Sequence, residues 1–159
     1  MFNFYSTAGL IFGNETSLNS CSQIIDTLGK NIFVVSDRGL TELGLIEPTI
    51  KKLKKNCNIK IFNDVESDPS KKTLLNAFSD AREFESTGVL GFGGGSSMDV
   101  AKLVSLLLGS NQKIETIWGV NNAKGPRLPL VLIPTTAGTG SEVTPISIIT
   151  MDDKEKKGV

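Results

Sequence analysis

Apolar residues recur along this chain at two spacings. Leu18, Cys21, Ile24, Ile25 and Leu28 share one helical face, in a segment that Asn14 or Thr16 can cap and Gly29 can end. Short unbroken apolar runs at 31–36 (NIFVVS), 59–62, 89–92 and 130–133 predict buried strands. Between them the helical period returns. A helix follows the Asp37-Arg38-Gly39 turn and breaks at Gly44. Another starts at Pro48, turns Ile50 and Leu53 inward and ends near Lys55. Ser70 caps a third, reaching Glu85 with Leu74, Leu75, Ala77, Phe78 and Ala81 on its apolar face. A strongly apolar helix spans 97–108, with Gly109 as its end. Residues 111–129 read as loop with a short turn at 114–118, residues 134–144 as a threonine and glycine loop, and 145–150 as a further strand. Residues 2–5 and 10–12 flank Ala8-Gly9 as an N-terminal edge hairpin, while the charged tail at 151–159 has no core of its own. Strand and helix alternate, which predicts an α/β fold: one Rossmann-like domain over 1–159, a mostly parallel sheet flanked by helices.

Composition narrows the function classes. Hydrophobic residues make up 39% of 159, enough for a packed core. Lys plus Arg equals Asp plus Glu at 17 each, so no net field draws in nucleic acid or an anionic membrane. The Lys51, Lys52, Lys54, Lys55 cluster reads as a solvated helix face. Cys21 and Cys57 lack metal-ligand spacing and read as free thiols, consistent with a reducing cytoplasm. The start, MFNFYSTAGL, lacks the basic flank and apolar run of a signal peptide, and no run reaches membrane-spanning length. There is no histidine, so a histidine base or metal ligand is excluded within the chain.

The sharpest chemical feature is GFGGGSSMD at 91–99, where a strand meets a helix. Bare glycine amides let an anion approach closely, and the helix start adds the positive end of its dipole. Gly94, Gly95, Ser96 and Ser97 therefore suit a pyrophosphate, beyond what a tight turn alone requires. The stretch is neither a Walker loop nor the usual dinucleotide fingerprint, since Ser96 stands where that pattern has its third glycine. It also follows the third strand, whereas the fingerprint opens the first βαβ unit. Asp99 sits three residues before Lys102, which allows an ion pair or a hydrogen bond to a bound nucleotide.

Asp37 ends the first strand. A carboxylate there can accept both ribose hydroxyls and repel a 2′-phosphate, although a helix cap is the plainer role. PTTAGTGSEVT at 134–144 begins at the end of another strand, where open α/β sheets hold ligands. Thr135, Thr136, Thr139, Ser141 and Thr144 supply hydroxyls there.

Taken together, VVSDRGL (34–40), GFGGGSSMDVAK (91–102) and LPLVLIPTTAGTGSEVTPISIIT (128–150) resemble the iron-containing (group III) alcohol dehydrogenases of the dehydroquinate-synthase-like fold, as does YSTAGLIFG (5–13). The resemblance implies an NAD-binding half-enzyme, with NADP less favoured. Asp37 would meet the adenosine ribose, and Gly94, Gly95, Ser96 and Ser97 the pyrophosphate. Asp99 would lie toward the nicotinamide, with Thr135, Thr136 and Thr144 lining the cleft. Lys157 matches a basic position that reaches the cofactor in relatives, and Asp68 a position often occupied by Asn. Family members continue into a helical domain where one Asp and three His would hold iron or zinc. No metal ligand is carried over to this chain, which alone would be inactive. The complete enzyme would transfer hydride between an alcohol or aldehyde and NAD, and a cleft face left bare would favour a homo-oligomer. The competing readings are a non-catalytic nucleotide-binding or scaffolding module, and a lyase or glycerol-dehydrogenase-type relative.

Overall fold

The computed structural model describes Thr7 and residues 9–159. Helices α1 (Thr16–Asn19) and α2 (Cys21–Leu28) lead into strand β1 (Asn31–Val35). There follow α3 (Arg38–Glu42), α4 (Glu47–Leu53), β2 (Asn58–Phe62), α5 (Lys71–Glu83), β3 (Gly88–Gly93), α6 (Gly95–Ser110) and β4 (Leu130–Pro134). Two short strands close the chain, β5 (Ile148–Thr150) and β6 (Lys156–Gly158). The expected α/β architecture is present, with small shifts at element ends.

The first four strands form one parallel sheet in the order β2-β1-β3-β4. From β1 the chain steps outward to β2, then returns to lay β3 on the other side of β1. The order thus reverses between β1 and β3, the kind of point where open α/β sheets leave a crevice at their strand ends. Strand alternation divides the core in two. Ile32, Val34, Leu90 and Phe92 face α2 and α4, meeting Ile24, Leu28, Ile50 and Leu53. Phe33, Val35 and Val89 face α5 and α6, meeting Leu74, Ala77, Val100 and Val104. Because β1 and β3 are covered on both faces, they read as continuous apolar runs.

Several expectations are corrected. The first helix is two, parted at Ser20 (φ −94°, ψ 13°). Gly109 does not end the long helix, which runs on to Ser110 and is closed by left-handed Asn111 (φ 55°). Gly109 has a packing role instead: a Cβ there would stand 2.6 Å from the backbone of Arg127. Only glycine lets the returning loop cross so close, where Leu128 N donates to the Ser105 carbonyl and Ser105 Oγ donates to that of Leu128. The strand at 145–150 shrinks to β5 and pairs antiparallel with β6, away from the main sheet. The charged tail therefore has structure: it supplies β6, and Val159 packs against the α5–α6 core. The first arm of the edge hairpin, 2–5, lies outside the described residues, and residues 10–12 are not a strand.

Candidate functional site

The crevice at the β1–β3 reversal is a cleft of about 840 Å³. Its floor is Gly94, Gly95, Ser96 and Ser97 at the start of α6, with Thr135 and Thr136 beyond β4 on one side. The opposite wall is Asp37, Arg38, Gly39 and the leucines Leu40, Leu43 and Leu45, continued by 64–67 after β2.

Helix α6 opens here without a side-chain cap. The first-turn amides of a helix have no intrahelical acceptor, so those of Gly95, Ser96 and Ser97 are available to a ligand. Close packing sets their aim. A Cβ on Gly93 would stand 2.7 Å from Ser97 Oγ and 3.3 Å from Asp37 Oδ2, and one on Gly94 3.3 Å from Thr136 Oγ1. Asp37, the glycine turn and Thr136 thus converge at the cleft. Thr135 N donates to the Gly93 carbonyl at 3.0 Å, locking the threonine loop to the β3 end. Ser97 is 1% exposed, with its side chain against Gly93, so it offers its amide more than its hydroxyl. Ser96 is half-buried and lines the cleft.

Asp37 takes the helix-cap role and also borders the cleft. Its Oδ1 accepts from Leu40 N at 3.0 Å, capping α3, while Oδ2 is turned toward Gly93. Asp99 is committed elsewhere. Its carboxylate accepts from Ser141 Oγ and from Ile148 N (2.9 Å) and pairs with Lys102 at 3.1 Å. It does not line the cleft; it ties α6 to the loop at 141–148. Lys102 Nζ completes this knot by donating to the carbonyls of Ser141 (3.0 Å), Thr144 (3.3 Å) and Ile146. Burial pushes the Lys102 ammonium below its ordinary value, against the opposing pull of Asp99. Thr144 therefore contributes its carbonyl to this knot and stands outside the cleft lining, and Thr139 donates to Glu142 at 2.8 Å. Lys157 lies on β6 beside Glu155 (3.5 Å), and Asp68 pairs with Lys156 at 2.7 Å; neither lines the cleft.

Sequence reasoning overlooked Leu40, Leu43 and Leu45 at and after α3, and the loop after β2, as cleft lining. The signal was there: LTELGLIE gathers three leucines around a short glycine turn, and Leu43 and Leu45, beyond the end of α3, remain 74% and 58% exposed. Asp64 follows a parallel strand end, as Asp37 and Gly94 do. Among the described residues no group of three His, Cys, Asp or Glu is placed to hold a metal ion, and no helix is long and apolar enough to cross a membrane.

Comparison with known proteins agrees with this fold. The profile described as "Iron-containing alcohol dehydrogenase" matches residues 8–159. Sulfoacetaldehyde reductase of Bilophila wadsworthia is 33% identical over 161 residues, covering 99% of this chain and 41% of that protein. The NAD-dependent methanol dehydrogenase of Bacillus methanolicus is 28% identical, covering 99% of this chain and 42% of that protein. The crystal structure of an iron-containing alcohol dehydrogenase from Thermotoga maritima superposes with a TM-score of 0.86 at 37% identity, covering 99% of this chain and 44% of that one. The chain spans less than half the length of each of these. Shared fold, shared sequence and the cleft at the strand reversal together establish that this chain belongs to the iron-containing alcohol dehydrogenase family.

Proposed function

We propose that this chain is the NAD-binding half of a metal-dependent alcohol dehydrogenase, and that the cleft between β1 and β3 holds the cofactor. The observation that carries the reading is the uncapped start of α6, whose free amides open into the cleft beside Asp37. A diphosphate satisfies those amides and the helix dipole together. Asp37 Oδ2 accepts from the adenosine ribose, and Leu43 and Leu45 offer apolar surface to the adenine. Thr135 and Thr136 flank the diphosphate from the β4 side. Asp99 and Lys102 act behind them by positioning the loop, and Lys157 and Thr144 have no direct contact in this assignment. The nicotinamide supplies hydride transfer with a small alcohol or aldehyde, and this chain's share is to bind and orient it. The described residues do not fit an iron or zinc site, so no step through a metal is derived for this chain. Alcohol turnover belongs to the complete enzyme, and a homo-oligomer is the expected assembly.

Calorimetric titration with NAD tests this assignment. Saturable one-site binding is expected, and Gly94→Val, which sets a side chain at the cleft floor against Thr136 Oγ1, should weaken it at least about tenfold, the worth of one or two charge-assisted hydrogen bonds. A folded wild-type chain that gives no saturable binding with NAD or NADP would refute the assignment.

A further inference from the structure

The cleft wall holds one cation and three carboxylates among the described residues: Arg38 against Asp37, Asp64 and Glu66. Arg38 directly follows Asp37, the residue assigned to the ribose. Its guanidinium is not turned to the cleft as a free anion-binding fork. Nε and Nη2 both reach Asp64 Oδ1, at 2.8 and 2.7 Å, joining the first turn of α3 to the loop after β2. The hydrogen bond and charge of Asp64 hold the guanidinium still more firmly protonated than usual. Glu66 is held apart by the Ser70 amide (2.9 Å) and the Thr73 hydroxyl (2.7 Å), so it does not compete for Arg38.

We propose that Asp64 is a specificity-determining residue, which by occupying the Arg38 guanidinium withholds from a ribose 2′-phosphate the one counter-ion the cleft wall could offer it. This rests on the assignment of the cleft to NAD. It adds a second discriminator to the repulsion by Asp37. An arginine beside the ribose is the group best suited to a phosphate, because its planar fork pairs two oxygens at once. Here the same fork is spent on a carboxylate from the neighbouring strand end. Selection against the 2′-phosphate is thus shared between a like charge in front of it and a neutralised cation beside it.

The test is the ratio of NADP to NAD affinity, measured by calorimetry on the intact chain. Asp64→Asn is expected to raise that ratio about fivefold, the effect of one exposed charge pair. Asp64→Ser should act alike, and both positions are exposed, so the fold is retained. In an Arg38→Gln background, Asp64→Asn should leave the ratio where it was. The gain should also fade at about 1 M salt, where the screening length is about 3 Å. A ratio that Asp64→Asn does not move overturns the proposal while leaving NAD binding in place. A gain that persists without Arg38 overturns it too, since removing a negative charge would then suffice. Wild-type chain that binds neither dinucleotide overturns both this inference and the assignment of the cleft.

Discussion

At Gly109 two residue-scale effects oppose each other. In a helix interior alanine is favoured over glycine by about 1 kcal/mol. The Cβ of that alanine, however, would meet the Arg127 backbone at 2.6 Å, and backbone yields less readily than a side chain. The clash wins, so Gly109→Ala should destabilise the chain by about 1–3 kcal/mol in urea unfolding; a stabilised variant would show that the loop moves freely. The same scale explains what could be read from single residues. The open, uncapped backbone of Gly94 to Ser97 is a local feature and was legible. The choice between two roles for Asp99 was not, because spacing to Lys102 says nothing of Ser141 and Ile148, more than forty positions on.

At the scale of elements, the start of α5 is organised by side chains. Ser70 Oγ accepts from Thr73 N (3.1 Å), while Glu66 reaches forward to the Ser70 amide and the Thr73 hydroxyl. Partial burial alone would raise the Glu66 carboxyl, but these donors outweigh it and hold the group below its ordinary 4.5. A carboxyl depressed in the folded state adds stability above its unfolded value, and that stability is lost as pH falls through the folded one. Wild type should therefore exceed Glu66→Gln by about 0.5 kcal/mol near neutrality, the exposed carboxylate being screened by solvent. The gap should close as pH drops below 4.5, followed by urea unfolding at each pH. A gap independent of pH would mean that Glu66 acts by packing alone. The Ser70 cap was legible because capping is local chemistry. The Glu66 brace was not, since it depends on the path of the loop at 64–69.

Across the whole molecule, Lys102 joins parts of the chain that sequence alone leaves separate. Its ammonium meets Asp99 on its own helix and three carbonyls of the loop at 141–148, with only 11% of the side chain exposed. Lys102→Met would strand that carboxylate and leave the carbonyls short of a donor. The cost should be about 3 kcal/mol in urea unfolding, as for one half of a buried ion pair. A loss under about 0.5 kcal/mol would place Lys102 among ordinary surface residues. The tail has no core of its own, as expected, but the strand in it was not legible. Residues 151–159 carry little apolar surface, yet β6 is ordered by pairing with β5, whose Ile149 is fully buried.

The order of strands and helices from β1 to β4, the two-sided burial of β1 and β3 and the open backbone of the glycine turn were determined by sequence alone. Each follows from periodicity or backbone freedom within a few residues. Only the tertiary structure decided that β3 returns to the side of β1. That return carries the third strand's glycine turn to Asp37 and opens the cleft at the reversal. The Lys102 knot and the Arg38–Asp64 pair belong to the same class. Apart from the Asp99–Lys102 pair on one helix, their partners lie 26 or more positions apart, and such meetings are set by how the layers pack, which no local pattern encodes.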